Sequence, residues 1–145
     1  GTEILMDNAP HHKNDGLIRS DFPGGWKDDK TNAFTGEGLN ADQLSVQTYL
    51  KQLLNWRKKN SVIANGQTLH FAPFDGLYVY FRYNKEKTVM VVMNKSDKKV
   101  TLDARRFAEI LKDRTKALNV LSNEQVDIKS GISVNPKSTN IYEMN

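Results

Sequence analysis

Residues 77–93 read Leu77-Tyr78-Val79-Tyr80-Phe81-Arg82-Tyr83-Asn84-Lys85-Glu86-Lys87-Thr88-Val89-Met90-Val91-Val92-Met93. Two runs rich in aromatic and β-branched side chains flank the polar break Asn84-Lys85-Glu86, the composition of two strands joined by a tight reversal. In the first run Leu77, Val79 and Phe81 alternate with Tyr78, Tyr80 and Arg82, so both faces are partly covered. The second run is apolar from Val89 to Met93, as in a strand buried on both sides. The pair is expected to be antiparallel and central to a sheet.

Working outward, Leu69 to Phe71 forms a further candidate strand, separated from the pair by Pro73 and Asp75-Gly76. Downstream, short strands are expected at Val100 to Leu102, Lys116 to Val120, Gln125 to Ile128, Gly131 to Val134 and Thr139 to Met144. A helical turn or two interrupts them at Arg105 to Leu111. Short strands spaced by Asn, Asp, Lys and Gly turns predict a mainly β fold, a two-layer antiparallel sandwich of about seven or eight strands. The pattern leaves their spatial order open.

Upstream the period changes from 2 to 3.6. Asn40 followed by Gln43 fits a capping box, and Leu44, Tyr49, Leu50, Leu53, Leu54 and Trp56 make a wide apolar stripe, predicting a helix to about Asn60. Arg57, Lys58 and Lys59 crowd its last turn, where cations oppose the partial negative charge of free carbonyls. Asn65-Gly66 then supplies a turn. Before the helix, residues 7–39 are rich in Asp, Asn, Gly and Pro, a loop long enough to be functional or packed on something. Glu3 to Met6 has the length and apolarity of a strand.

The chain has 145 residues, no cysteine and a formal net charge of +4. That length falls short of a complete eight-fold barrel of about 250 residues. The lack of cysteine excludes disulfides and thiolate metal sites. No run approaches the roughly 18 apolar residues of a membrane span, and the start lacks the features of a signal peptide. Opening on Gly rather than Met, the chain is expected to be a processed or truncated piece. Residues 1–66 carry eight basic and eight acidic side chains, and residues 67–145 carry thirteen and nine. The excess falls at turns, interleaved with Glu86 and Asp97, which reads as solvated loop charge and not as a nucleic-acid surface.

In this order of elements the chain resembles the end of the α-amylase family, glycoside hydrolase family thirteen. Gly1-Thr2-Glu3 resembles the end of the Tyr-Gly-x-Glu segment on the eighth barrel strand. Asp15-Gly16-Leu17-Ile18-Arg19-Ser20-Asp21-Phe22-Pro23-Gly24-Gly25-Trp26 resembles the loop that follows, with a spelling similar to the neopullulanase and cyclomaltodextrinase branch. Tyr49 to Gly66 is similar to the family's eighth barrel helix.

The resemblance implies two regions: residues 1–66 as the last strand, long loop and last helix of a (β/α)8 barrel, and residues 67–145 as a C-terminal β-sandwich. It also implies a parent that is a retaining glycosidase or transglycosidase on α-1,4 bonds of starch-derived oligosaccharides, with α-1,6 bonds left open as a further target. Such an enzyme needs two carboxyl groups about 5–5.5 Å apart. In the family these, with a third carboxylate, lie on barrel strands four, five and seven, upstream of this chain. No catalytic residue is therefore assigned here, and the chain is expected to be a non-catalytic accessory piece. A self-standing carbohydrate-binding β-sandwich module is the competing reading. The implied partners are the upstream barrel and its α-glucan substrate, and the implied compartment is the bacterial periplasm or cell envelope. No cofactor or metal is implied. The helix stripe wants a neighbour, and a homodimer of the fragment is one way to supply it.

Each remaining feature has a plainer explanation beside it. Arg19, Asp21, Phe22 and Trp26 are the candidates for a substrate-facing rim, since an aromatic ring stacks on a sugar while Arg and Asp bond hydroxyls. Against that, Arg19 can pair with Asp21 while Phe22 and Trp26 anchor the loop. Glu3 is expected as a hydrogen-bond partner and not a catalyst. Asp7, Asp15 and Asp21 suit turn-forming loop positions better than a carboxylate set. His11-His12 points to opposite sides of an extended chain and lacks ligand spacing, and His70 lies in a strand without an evident partner. Tyr78, Tyr80, Tyr83 and Phe74 could form a sugar platform, but strand aromatics usually serve packing. Tyr78 and Tyr80 share a face that Tyr83 does not.

Overall fold

A computed structural model of the chain describes residues 1–7 and 13–145. It has two compact units, Gly1–Leu54 and Asn55–Asn145.

The first unit opens with a 3-10 turn at Thr2–Ile4, where a strand is expected from the sequence. An extended segment needs a ladder partner for its N–H and C=O groups. None of the described residues pairs with this one, and its polar groups close locally. Ile4 and Met6 donate to the Gly1 carbonyl at 3.2 and 2.9 Å, with Leu5 in the left-handed region. The helix α1 (Ala41–Lys59) begins where the capping box predicts. Asn40 Oδ1 accepts from the Gln43 N–H at 2.9 Å and Gln43 Oε1 from the Asn40 N–H at 3.0 Å, satisfying two otherwise free donors. Along α1, Val46, Leu50, Leu53 and Trp56 are half-buried, while Leu44, Tyr49 and Leu54 are exposed.

The second unit continues through α2 (Ser61–Asn65) into eight strands: β1 (Gln67–His70), β2 (Leu77–Tyr83), β3 (Thr88–Asn94), β4 (Val100–Leu102), β5 (Lys116–Asn119), β6 (Glu124–Asp127), β7 (Ile132–Val134) and β8 (Ser138–Met144). A 3-10 turn at Ala104–Phe107 and α3 (Ala108–Leu111) stand between β4 and β5. Every strand expected from residue 67 onward is present within a residue or two. They form a six-stranded antiparallel sheet in the order β1-β2-β3-β8-β5-β6 and a two-stranded ribbon of β4 and β7.

The register sets the two faces of the large sheet. Leu77, Val79 and Phe81 lie opposite Asn94, Val92 and Met90. With Tyr142 and Met144 of β8 they form one buried cluster with Leu102, Ile132 and Val134 of the ribbon and Phe107, Ile110 and Leu111 of the helical turns. Phe107 is its aromatic centre, with ring centroids 4.7 Å from Phe71 and 5.7 Å from Phe81. Asn94 joins ribbon and sheet through its buried amide. Nδ2 donates to the Lys98 and Asn135 carbonyls, each at 2.9 Å, while Oδ1 accepts from the Ser96 N–H and hydroxyl.

The opposite face carries Val89 and Val91 of β3 beside Glu143 and Ile141 of β8. Here α2 packs on β2 and β3. Gly66 ends α2 with an ordinary extended backbone, so its role is close approach and not a left-handed turn. A Cβ there would stand 2.4 Å from the Val62 carbonyl oxygen and 2.9 Å from that of Tyr83.

Candidate functional site

In the first unit the loop residues are shaped by short Asp, Asn and Gly turns. Asp29 Oδ2 accepts from the N–H groups of Gly24 and Trp26 at 2.8 and 3.1 Å. Gly24 has φ +99°, and a Cβ there would meet Asn32 Oδ1 at 2.6 Å, so only glycine suits the position. Asn32 in turn receives the N–H groups of Phe34 and Thr35, while the Ala33 N–H donates to the Pro23 carbonyl at 3.1 Å.

On this frame the four rim candidates separate. The Trp26 indole N–H donates to Asp21 Oδ2 at 3.2 Å, which orients a ring left 68% exposed. Phe22 is half-buried and meets Phe34 edge-to-face at 5.6 Å, with Phe34 itself 76% exposed. Arg19 is exposed and makes no ion pair with Asp21; the carboxylate is engaged by Trp26 instead. The loop thus presents Trp26 and Phe34 as its two most open rings. Phe34 carries no motif, and sequence reading passed over it.

Glu3 is half-buried in the opening 3-10 turn, and its carboxylate lies 2.9 Å from the Gly1 nitrogen. His11 and His12 lie outside the described residues. Among the described residues no group of three His, Cys, Asp or Glu side chains could hold a metal ion.

In the second unit the aromatic strand residues divide by face. Phe74 belongs to packing: its ring lies 6.4 Å from Phe107, and the Arg106 guanidinium sits 4.2 Å over it. Tyr83 packs against the core cluster. Tyr78 and Tyr80 are neighbours on the other face, centroids 5.9 Å apart and planes 34° apart. His70, which looked partnerless in the sequence, meets Tyr78 edge-on at 6.4 Å.

A polar cluster near the start of this unit has no motif in the sequence. Glu143 on β8 accepts the Trp56 indole N–H at 2.8 Å and pairs with the Lys87 ammonium. Lys87 also donates to Asn60 Oδ1 at 2.9 Å, and Asn60 Nδ2 donates back to the Trp56 carbonyl at 2.9 Å. The four groups form a closed ring binding the end of α1 to the sheet, with donors and acceptors matched. Elsewhere, burial raises the Tyr142 phenol above its ordinary value, and the bond from Arg105 holds the exposed Asp103 carboxyl below its own.

The family model for the cyclo-malto-dextrinase C-terminal domain matches residues 68–143, just over half of the chain. Among solved structures, the α-amylase of Geobacillus thermoleovorans complexed with acarbose is similar over 100% of this chain and 28% of its own, with 16% identity and a TM-score of 0.62. An Anoxybacillus α-amylase is similar over 84% of this chain and 26% of its own, at 20% identity and TM-score 0.57. A maltogenic amylase from S. marinus is similar over 72% and 14%, at 13% identity and TM-score 0.52. At these identities the likeness is one of fold. The chain spans 28% or less of the length of each of these three structures.

Proposed function

The chain belongs to the family of the cyclo-malto-dextrinase C-terminal domain, and from that premise we propose that it serves as the accessory end of an amylase-family glycosidase acting on α-glucans. The observation that carries this reading is the span of the match: residues 68–143 run from β1 to β8, the whole sheet-forming part of the chain. The functional division then falls at Gly66, with residues 1–66 completing a catalytic barrel and residues 67–145 forming the supporting sandwich. The chemistry belongs to carboxylates on earlier barrel strands, which act as nucleophile and general acid/base.

Within that reading, Arg19, Asp21, Phe22 and Trp26 belong to the rim above the parent's substrate. Asp21 acts through Trp26, holding the indole in place, while Phe22 props the loop against Phe34. The exposed Leu44, Tyr49 and Leu54 of α1 are the surface the barrel would cover, and a second copy is the cover available to the chain alone. A monomeric mass by sedimentation at high concentration would remove the dimer from this reading.

The test is an activity assay joined to sequence. Incubated with maltoheptaose or pullulan, the chain alone releases no reducing ends, and the coding sequence before Gly1 specifies a barrel with acidic residues at three strand ends. Release of reducing ends by the purified chain, or an upstream sequence without that barrel, overturns the proposal.

A further inference from the structure

A cleft of about 950 Å³ opens in the second unit where β1, β2 and β3 end beside α3. That is ample for a small oligosaccharide, since ligand sites run from roughly 300 to 1,000 Å³. Its apolar floor includes Leu69, Ile110 and Tyr83, which is half-buried with one side against the core cluster and also lines the cleft. Around them stand Asn65, Gln67, Lys85, Glu109 and Lys112, whose side chains make no hydrogen bond or ion pair with the described residues. Arg114 completes the lining and is partly spent on the carbonyls of Ile110 and Asn145.

A second observation falls on the same wall. Lys112 follows α3 with φ 52° and ψ −123°, a conformation a side chain adopts only at a cost and glycine adopts freely. A lysine standing where glycine would be relaxed is accounted for if its side chain has work in the cleft. The lining sets three cations, Lys85, Lys112 and Arg114, and the carboxylate of Glu109 among uncharged amides beside one aromatic side chain. A polyol offers hydroxyls to such amides and ions and a C–H face to the ring, while the excess of cations makes a simple anion the competing ligand.

We infer that this cleft is an oligosaccharide-binding subsite, with Tyr83 as the stacking ring and Gln67, Glu109 and Lys112 as hydroxyl partners. That the ligand is an α-glucan rests on the proposed parent activity; the cleft's chemistry requires only an oligosaccharide.

The test is an NMR titration of the 145-residue chain with maltoheptaose, cellohexaose and inorganic phosphate. Maltoheptaose shifts the amides of Gln67, Tyr83, Glu109 and Lys112 and saturates by about 10 mM. Lys112→Gly raises the melting temperature by relieving the backbone and weakens binding by about threefold, whereas a purely structural lysine would alter stability alone. Glu109→Ala, on the exposed side of α3, weakens binding without lowering the melting temperature. Tyr83→Leu reduces affinity about tenfold. Three outcomes overturn the inference: no shifts with either oligosaccharide, shifts confined to Tyr78 and Tyr80, or shifts with phosphate alone. Shifts at the cleft with cellohexaose and none with maltoheptaose would leave the subsite standing and count against the α-glucan parent.

Discussion

Replacing Glu143 by alanine tests how firmly the end of α1 is held to the sheet. The side chain is 18% exposed and its partner Lys87 29% exposed, so the pair lies between a surface salt bridge and a buried one. Exposed pairs contribute about 0–1 kcal/mol, whereas removing one partner of a buried pair costs about 3–5 kcal/mol. Glu143→Ala removes the acceptor of the Trp56 indole, a hydrogen bond to a charged group of about 1.5–3 kcal/mol. Lys87 loses its counter-charge but keeps Asn60 Oδ1 and reaches water, which limits the additional cost. The expected total is about 2–3 kcal/mol.

Glu143→Gln retains one acceptor oxygen for one of the two donors and should cost about 1–2 kcal/mol. Urea unfolding followed by circular dichroism measures both, with an unchanged slope showing that stability alone has moved. A loss below about 0.5 kcal/mol for Glu143→Ala would place the ring among ordinary surface pairs and refute the reasoning.

Three further outcomes follow from packing and burial. Phe107→Ala empties the centre of the aromatic cluster and should cost about 3–5 kcal/mol, read as a lower urea midpoint with loss of near-ultraviolet dichroism. Gly66→Ala drives a Cβ against two backbone oxygens and should lower the melting temperature, whereas Asn65→Ala beside it should change it little; equal effects would refute the close-approach role. The Tyr142 phenol is raised by burial, so its contribution to stability is complete below the unfolded value of about 10 and is lost as pH rises through the folded value. The urea midpoint should therefore fall above pH ~10 more steeply for the wild type than for Tyr142→Phe, and parallel curves would refute the assignment.

Strand extents were legible because alternation and polar breaks are local: Leu77–Tyr83 is found residue for residue, as is the Asn40/Gln43 box. Order was not, since β8 sits between β3 and β5 through hydrogen bonds that no local pattern encodes. The expected strand at Glu3–Met6 shows the same limit from the other side. Apolarity gives a segment the means to be a strand, but the ladder that makes it one must come from another segment. Among the candidate residues, the loop motif marked Asp21 and Trp26, which do bond, but suggested an Arg19–Asp21 pair that the indole displaces. The ring of Trp56, Asn60, Lys87 and Glu143 left no trace, because its members are up to 87 positions apart and each is an ordinary residue in its own neighbourhood.

That ring also bears on how, within the second unit, the helix end at Trp56 is seated on the sheet. Apolar contact between a helix end and the sheet is non-directional, so a small slide costs little. An indole N–H aimed at one carboxylate oxygen and an ammonium at the other accept only a narrow geometry. Lys87→Met combined with Glu143→Leu removes both charges together, which avoids an unpaired ammonium, but still leaves the Trp56 indole without its acceptor, so stability should stay about 1.5–3 kcal/mol below the wild type. If the polar ring serves orientation, the folded double variant should also show a broadened Trp56 indole resonance and a red-shifted, heterogeneous fluorescence decay. A sharp, single Trp56 environment in the double variant would show that packing alone sets the helix, and the ring would then be a contribution to stability and nothing more.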